Sequence, residues 1–243
     1  MRARRIAGRA VVVAALALVA LAAPGRAAAD TCCNGLYVQG VATGGGTFTS
    51  GIRSVGPVGG AINKDHTQDD EAGGGVAIGF DFRRLGAPVR FAVEYQHDIR
   101  IDYDRRPIFT NALPNAGFSN NINVTTITAN VLYDWRSWGV SSWWRPYAGL
   151  GVGFGQVESE VAYKDFNRGG AVFTENKVSR SNNLVWSATG GFDFDVTENW
   201  FAEAAYQFVD KGELKVGPFA TGVELRGDQM LTHQLRLAVG YRF

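Results

Sequence analysis

Cysteine, proline, histidine and any excess of charge are scarce in this chain, and each scarcity removes a class of explanation. Its 2 cysteines, Cys32 and Cys33, are adjacent, too few for the four-ligand set of an ordinary metal site. In an oxidising compartment they could close a vicinal disulfide or bridge to another chain. Asp30-Thr31 in front of them spoils a lipobox, so a lipid anchor is not expected. Lys and Arg number 24 against 23 Asp and Glu, a formal net charge of +1, which argues against a nucleic-acid partner. Proline is low at 7 and glycine high at 31. The glycines sit inside apolar runs rather than in G-X-Y periods, which suits curved strands and a crowded interior more than disorder.

Long apolar runs are also missing, with one exception at the amino terminus. Arg2, Arg4, Arg5 and Arg9 precede an apolar stretch, Val11–Ala23, and Ala27-Ala28-Ala29 ends it. That is the order of a secretion signal: a basic region, an apolar region and a small-residue cleavage site. Residues 1–29 are therefore expected to be removed and 30–243 to form one exported domain. The run is shorter than the roughly 20 residues of a spanning helix, and no later stretch is longer. If the chain crosses a membrane, it does so with strands.

What is present is alternation. At the chain end Leu235, Leu237, Val239, Tyr241 and Phe243 share one face, and Gln234, Arg236, Ala238, Gly240 and Arg242 the other. The same period-two pattern runs through 36–43, 76–82, 90–96, 126–135, 146–155, 184–195 and 200–208, which makes eight strands. Their connections alternate long, short, long, short, long, short, long. The long ones fall near 45–72, 102–121, 158–182 and 210–230; the tightest short one is Thr197-Glu198-Asn199. Trp135, Trp138, Trp143, Trp144 and Trp200 lie near the short-turn end, Trp186 and Tyr206 towards the long-connection end, so two aromatic girdles are expected.

The pattern as a whole, the run Pro146-Tyr147-Ala148-Gly149-Leu150-Gly151, the stretch Asn130-Val131-Leu132-Tyr133-Asp134-Trp135 and the terminal Gly240-Tyr241-Arg242-Phe243 resemble the small outer-membrane proteins of the OmpA/OmpX-like, opacity-type porin superfamily of Gram-negative bacteria. The fold class this implies is all-β: an eight-stranded antiparallel up-and-down transmembrane β-barrel in the cell outer membrane. Export through the Sec pathway, periplasmic termini and four surface loops come with it. Leu235, Leu237, Val239, Tyr241 and Phe243 resemble the terminal signal shown to the barrel-assembly machinery. The implied partners are outer-membrane lipid, lipopolysaccharide and an extracellular ligand at the loops; no nucleic acid and no cofactor is implied.

An eight-stranded barrel has an interior that side chains fill. Arg90, Glu94, Asp193, Glu203, Arg236 and Arg242 have the parity of the polar face and are expected to pair as a charge network in the lumen. A narrow porin passing ions or small solutes along those residues is the alternative. Some small barrels modify lipid A, and the deacylase type carries a His and a Ser two apart on a strand. Here the residue two on from His97 is Ile99 and from His233 is Leu235, and His66 beside Asp65 has no placed nucleophile, so no catalytic residues are assigned. A soluble lipocalin-like barrel holding an apolar ligand shares the parity. The charged minority face, paired girdles, alternating connections and terminal Phe243 favour the membrane.

Overall fold

A computed structural model describes residues 35–55, 60–61, 66–100, 116–135, 144–168, 171–220, 222 and 224–243. The expected leader at 1–29, Cys32, Cys33, Trp138 and Trp143 lie outside them. In chain order the strands are β1 (Leu36–Ser50), β2 (Arg53–Val55), β3 (Gly60–Ala61), β4 (His66–Asp81), β5 (Val89–Arg100), β6 (Ala116–Asp134), β7 (Trp144–Arg168), β8 (Ala171–Asp195), β9 (Trp200–Asp210), β10 (Leu214–Val216), β11 (Glu224–Gly227) and β12 (Gln229–Arg242). Eight of them close into a barrel in the order β1-β12-β9-β8-β7-β6-β5-β4. Every pair is antiparallel, and the first and last strands meet along Val38↔Tyr241 and Thr43↔Arg236.

Two short connections show how local chemistry reverses the chain. Between β4 and β5 a 3-10 turn, Phe82–Leu85, starts where Asp81 accepts from the Arg83 amide at 3.0 Å. It ends at Gly86, whose φ of 93° lies in the left-handed region that glycine tolerates. Between β8 and β9 the Thr197 hydroxyl accepts from the Trp200 amide at 3.0 Å. Arg242 N donates to Asn199 O at 2.8 Å, so this turn lies beside the end of β12.

The two faces of the wall differ as the alternation requires. Inward positions of β12, from Met230 to Arg242, are buried, and the intervening ones are exposed or half-buried. Outward, Ile78, Phe91, Val93, Ile127, Leu150, Phe154, Leu184, Leu235 and Leu237 form an apolar surface with Phe154 73% and Leu150 68% exposed. Water does not leave so large a contiguous apolar band uncovered on a soluble monomer.

The strands are longer than the expected ten residues. Most of the segment 158–182 is strand, with β7 and β8 of 25 residues each paired from Trp144↔Phe194 out to Arg168↔Ala171. Likewise β1 and β4 reduce the connection at 45–72 by pairing Gly44↔Ala72 and Ser50↔His66. About ten residues suffice to cross a bilayer, so the excess stands in water. Alternation at 157–163 with 171–174, and at 214–216 with 223–225, already suggests strands extended beyond the bilayer. β7, β8, β10 and β11 cover these stretches, position 223 lying outside the described residues.

Above the wall, β10-β11-β2-β3 form a second sheet drawn from the first and last long connections. Its Leu214, Val216 and Leu225, with Ile52 and Phe219, pack on Ile122 of β6, Val124 of β6, Val157 of β7 and Met230 of β12. These connections thus carry a hydrophobic core of their own. Leu225→Ala should cost roughly 2–5 kcal/mol of that core. Hydrogen exchange is expected to speed up across β2, β10 and β11 while the amides of the barrel wall keep their protection.

Candidate functional site in the lumen

The inward side chains build a charged plug. Arg90 on β5 is fully buried and donates twice to Asp134 at the end of β6, both at 3.0 Å. Its remaining nitrogen donates to Glu203 of β9 and lies 3.6 Å from Asp193 of β8. Glu203 also accepts from Arg236 of β12 at 2.7 Å, and Arg236 reaches Glu94 of β5 at 2.8 Å. Carboxylates and guanidiniums therefore alternate across the barrel as Asp134, Arg90, Glu203, Arg236, Glu94. Towards the short turns, Asp193 accepts from Arg242 at 2.9 Å, Arg83 at 3.1 Å and Arg145 at 3.4 Å. Asp195 joins Arg242 and Arg145, and Asp81 joins Arg83.

All six residues singled out by parity, Arg90, Glu94, Asp193, Glu203, Arg236 and Arg242, thus sit in this one cluster. Sequence reasoning did not assign Asp81, Arg83, Asp134, Arg145 and Asp195 to it. Asp81, Asp134 and Asp195 share the polar face and had a parity signal. Arg83 had none, because it lies in a turn. Each buried ion needs partners to offset its desolvation, and the forked guanidinium supplies several bonds at once.

Aromatic rings fill the remaining space. Tyr37 and Phe201 meet edge to face at 5.7 Å, Arg242 lies 4.1 Å over the Phe201 ring, and Arg90 lies 4.8 Å over Tyr147. They fit because the residue paired with each ring on the neighbouring strand is glycine, Gly240 beside Phe201 and Gly79 beside Tyr37. A Cβ on Gly240 would stand 2.2 Å from the Phe201 ring, and one on Gly79 would stand 2.4 Å from Tyr37 Cζ.

A second group closes the other end. Lys211, one residue beyond β9, is buried and donates to Asp98 at 2.8 Å and to Glu71. Glu71 also accepts from Thr47, and Asp98 from Gln96. Lys211 is held in place by its amide, which donates to Met230 O at 2.9 Å. Its sequence position offered no clue, since it begins what looks like a polar connection. Between the two groups lies a cavity of roughly 10 Å³, lined by Glu94, Asp98, Ser187 and Lys211, room for about one water.

Outside, the rings fall into two belts. Trp135 packs on Tyr133 at 5.6 Å, Trp144 on Phe192 at 5.3 Å, and Trp200 on Tyr241 at 5.3 Å, with Phe243 beyond it. At the other level Trp186 meets Phe208 at 5.3 Å, and His233 sits among Phe208, Phe48 and the Tyr206 hydroxyl. His97 bonds Thr125 at 2.9 Å. Trp200 and Phe208, both on β9, are roughly 27 Å apart along the strand, close to the height of a bilayer's apolar layer once strand tilt is allowed for. Leu235, Leu237 and Val239 are exposed, and Tyr241 and Phe243 half-buried, on the outward face of the last strand between the belts and at the lower one.

Comparison with known proteins agrees with this geometry. A family model described as the outer membrane protein beta-barrel domain matches residues 13–243. Outer membrane protein PagN of Salmonella typhimurium is 27% identical over 197 residues, which is 75% of this chain and 77% of PagN. A putative adhesin of Rickettsia bellii is 26% identical over 133 residues, 53% of this chain and 56% of the adhesin. Among solved structures, a major outer membrane protein from Thermus thermophilus superposes with a TM-score of 0.51 at 15% identity, covering 85% of this chain and 99% of that one. At that identity the likeness speaks for the fold alone.

Glu203 binds both Arg90 and Arg236, so Glu203→Ala leaves two buried guanidiniums short of a partner. The expected loss is about 3–5 kcal/mol, read as a lower urea midpoint of the refolded barrel in micelles. Lys211→Met is expected to lower the midpoint as well, because Asp98 and Glu71 then face each other without a cation.

Proposed function

The chain belongs to the outer membrane protein beta-barrel domain family, and on that premise we propose that this outer-membrane barrel is a non-enzymatic envelope protein with a closed lumen, whose long connections face out of the cell and bind external partners. Residues 1–29 direct export through the Sec pathway and are cleaved, both ends of the barrel lie in the periplasm, and the outward set Leu235, Leu237, Val239, Tyr241 and Phe243 is what the barrel-assembly machinery reads. Lipid and lipopolysaccharide contact the apolar band and its belts.

The observation that carries the binding role is the amount of ordered structure spent beyond the bilayer. β7 and β8 run 25 residues each, and a four-stranded sheet with its own apolar core sits over the barrel mouth. Long outward connections are general to such barrels, but a second sheet packed on an apolar core is more structure than anchoring in the bilayer requires. The Rickettsia relatives are named putative adhesins, which supports surface binding as the class of activity.

The paired charges in the lumen support closure over conduction. The protein inserted in a planar bilayer is expected to show no discrete conductance steps; steady steps altered by Arg236→Ala would establish the narrow-porin alternative. The binding role is tested on cells by replacing the tip of the β7–β8 hairpin and the β10–β11 hairpin with short turns. Attachment to host cells or surfaces should be lost while heat-modifiable gel mobility is kept, and unchanged attachment would exclude these connections as the binding surface.

A further inference from the structure

Among the described residues the wall of the barrel is not complete above the bilayer. β9 ends at Asp210, opposite Trp186, while β8 continues along β7 to Ala171. Beyond β9 the chain turns inward at Gly212, whose φ is 77°. Asn183 Nδ2 donates to the carbonyls of Lys211 at 2.8 Å and Glu213 at 2.7 Å, and Ser179 Oγ to that of Lys215 at 3.1 Å. These bonds hold β10 under the inner face of β8, so β9 is not prolonged beside it. Among the described residues no strand pairs with the far edge of β8 from Ala171 to Val185.

The groups presented by that edge follow from the alternation of an antiparallel ladder. Trp135 N donates to Pro146 O at 3.0 Å, so even-numbered residues of β7 turn to β6 and odd-numbered ones to β8. Through the register Val161↔Lys177 and Ser159↔Ser179, the odd residues of β8 bond β7. Asn176, Val178, Arg180 and Asn182 therefore aim their amides and carbonyls at the open edge. The bond from Val196 N to Trp200 O, at 2.9 Å, shows the same parity facing β9. Natural edges are usually blunted by proline, bulges or several charges. From Ala171 to Val185 there is no proline, and the exposed positions from Asn176 to Leu184 carry a single charge, Arg180.

We propose that this edge pairs antiparallel with the same edge of a second copy held in a facing membrane, making the protein a homophilic cell-to-cell contact. The proposal rests on the orientation given above, with the long connections outward. A two-fold axis through Val178 uses the whole edge and sets Arg180 against the partner's Asn176, Asn182 against the partner's Thr174 and Val178 against the partner's Val178. No like charges then stand opposite each other, whereas an axis at Arg180 would oppose that residue to itself and shorten the overlap. Symmetry fixes where the copy sits. An antiparallel pair needs an axis perpendicular to the strands, and copies sharing one membrane run β8 in the same direction relative to it. The partner barrel must lie on the other side of the gap. Residues 171–185 extend roughly 50 Å along the strand, enough for the two edges to overlap between membranes.

The test uses the protein refolded into phosphatidylcholine vesicles labelled with donor or acceptor dye, with contact read as energy transfer between the two populations. Protein-bearing vesicles should aggregate with one another and not with bare vesicles. Val178→Pro removes one edge amide and leaves the β7 ladder whole, so it should raise the protein density needed for aggregation roughly tenfold. As a check that does not touch the backbone, Asn176→Arg should weaken aggregation and Asn176→Glu strengthen it, since both face the partner's Arg180. Wild-type vesicles that stay apart, indifference to Val178→Pro, or Asn176→Arg and Asn176→Glu acting alike would overturn the pairing. A membrane-impermeant amine reagent added to intact cells separates this from the underlying orientation, since the Lys215 side chain is 56% exposed: labelling of Lys215 with no vesicle aggregation sinks the pairing alone, and no labelling sinks the orientation as well.

Discussion

The constraint on which everything else hangs is the backbone amide in hydrocarbon. Each unpaired N–H or C=O there costs several kcal/mol, so a membrane-crossing sheet has to close on itself. Here it closes where β1 meets β12, along a ladder that runs from Tyr37↔Arg242 to Ser50↔Gln229. Closure with eight strands then dictates the interior, because the inward half of the side chains must fit a space with no room for bulk water. Gly79 and Gly240 leave room for the rings of Tyr37 and Phe201, and the charged side chains find one another.

Placing ions in that interior is a second constraint of comparable weight. A lone guanidinium there would be prohibitive, so Arg90 and Arg236 share Glu203 while Asp193 collects Arg242, Arg83 and Arg145. Such a web contributes less net stability than its many short bonds suggest, since each partner surrendered its hydration. What it does supply is register. The pairs join β5, β6, β8, β9 and β12, so sliding one strand by two residues would break several of them at once.

Above the bilayer the physics reverses, because water satisfies open edges and apolar contact becomes the organiser again. Ile52, Leu214, Val216, Phe219 and Leu225 gather there with Ile122, Val124 and Val157. The residues just above the belts are alternately polar and apolar on β6 and β7, which lets one wall serve two solvents. The same release from hydrocarbon is what allows β8 to outrun β9.

Period-two alternation, the spacing of turns and the girdle aromatics were enough to establish the strand number, the closed antiparallel order and the lipid-facing set from Val76 to Val239, because side-chain direction in a strand is a local property. Parity also placed Arg90, Glu94, Asp193, Glu203, Arg236 and Arg242 on the inward face. It could not say that Arg90 takes both Asp134 and Glu203, that Arg83 reaches in from a turn, or that Lys211 leaves an apparent loop to sit between Asp98 and Glu71. Alternation at 157–163 with 171–174 and at 214–216 with 223–225 did signal strands beyond the bilayer, but it could not show that most of 158–182 is strand or that the first and last connections share a sheet. Those outcomes depend on which strands become neighbours and how far their registers are staggered, and both are settled only when the barrel closes.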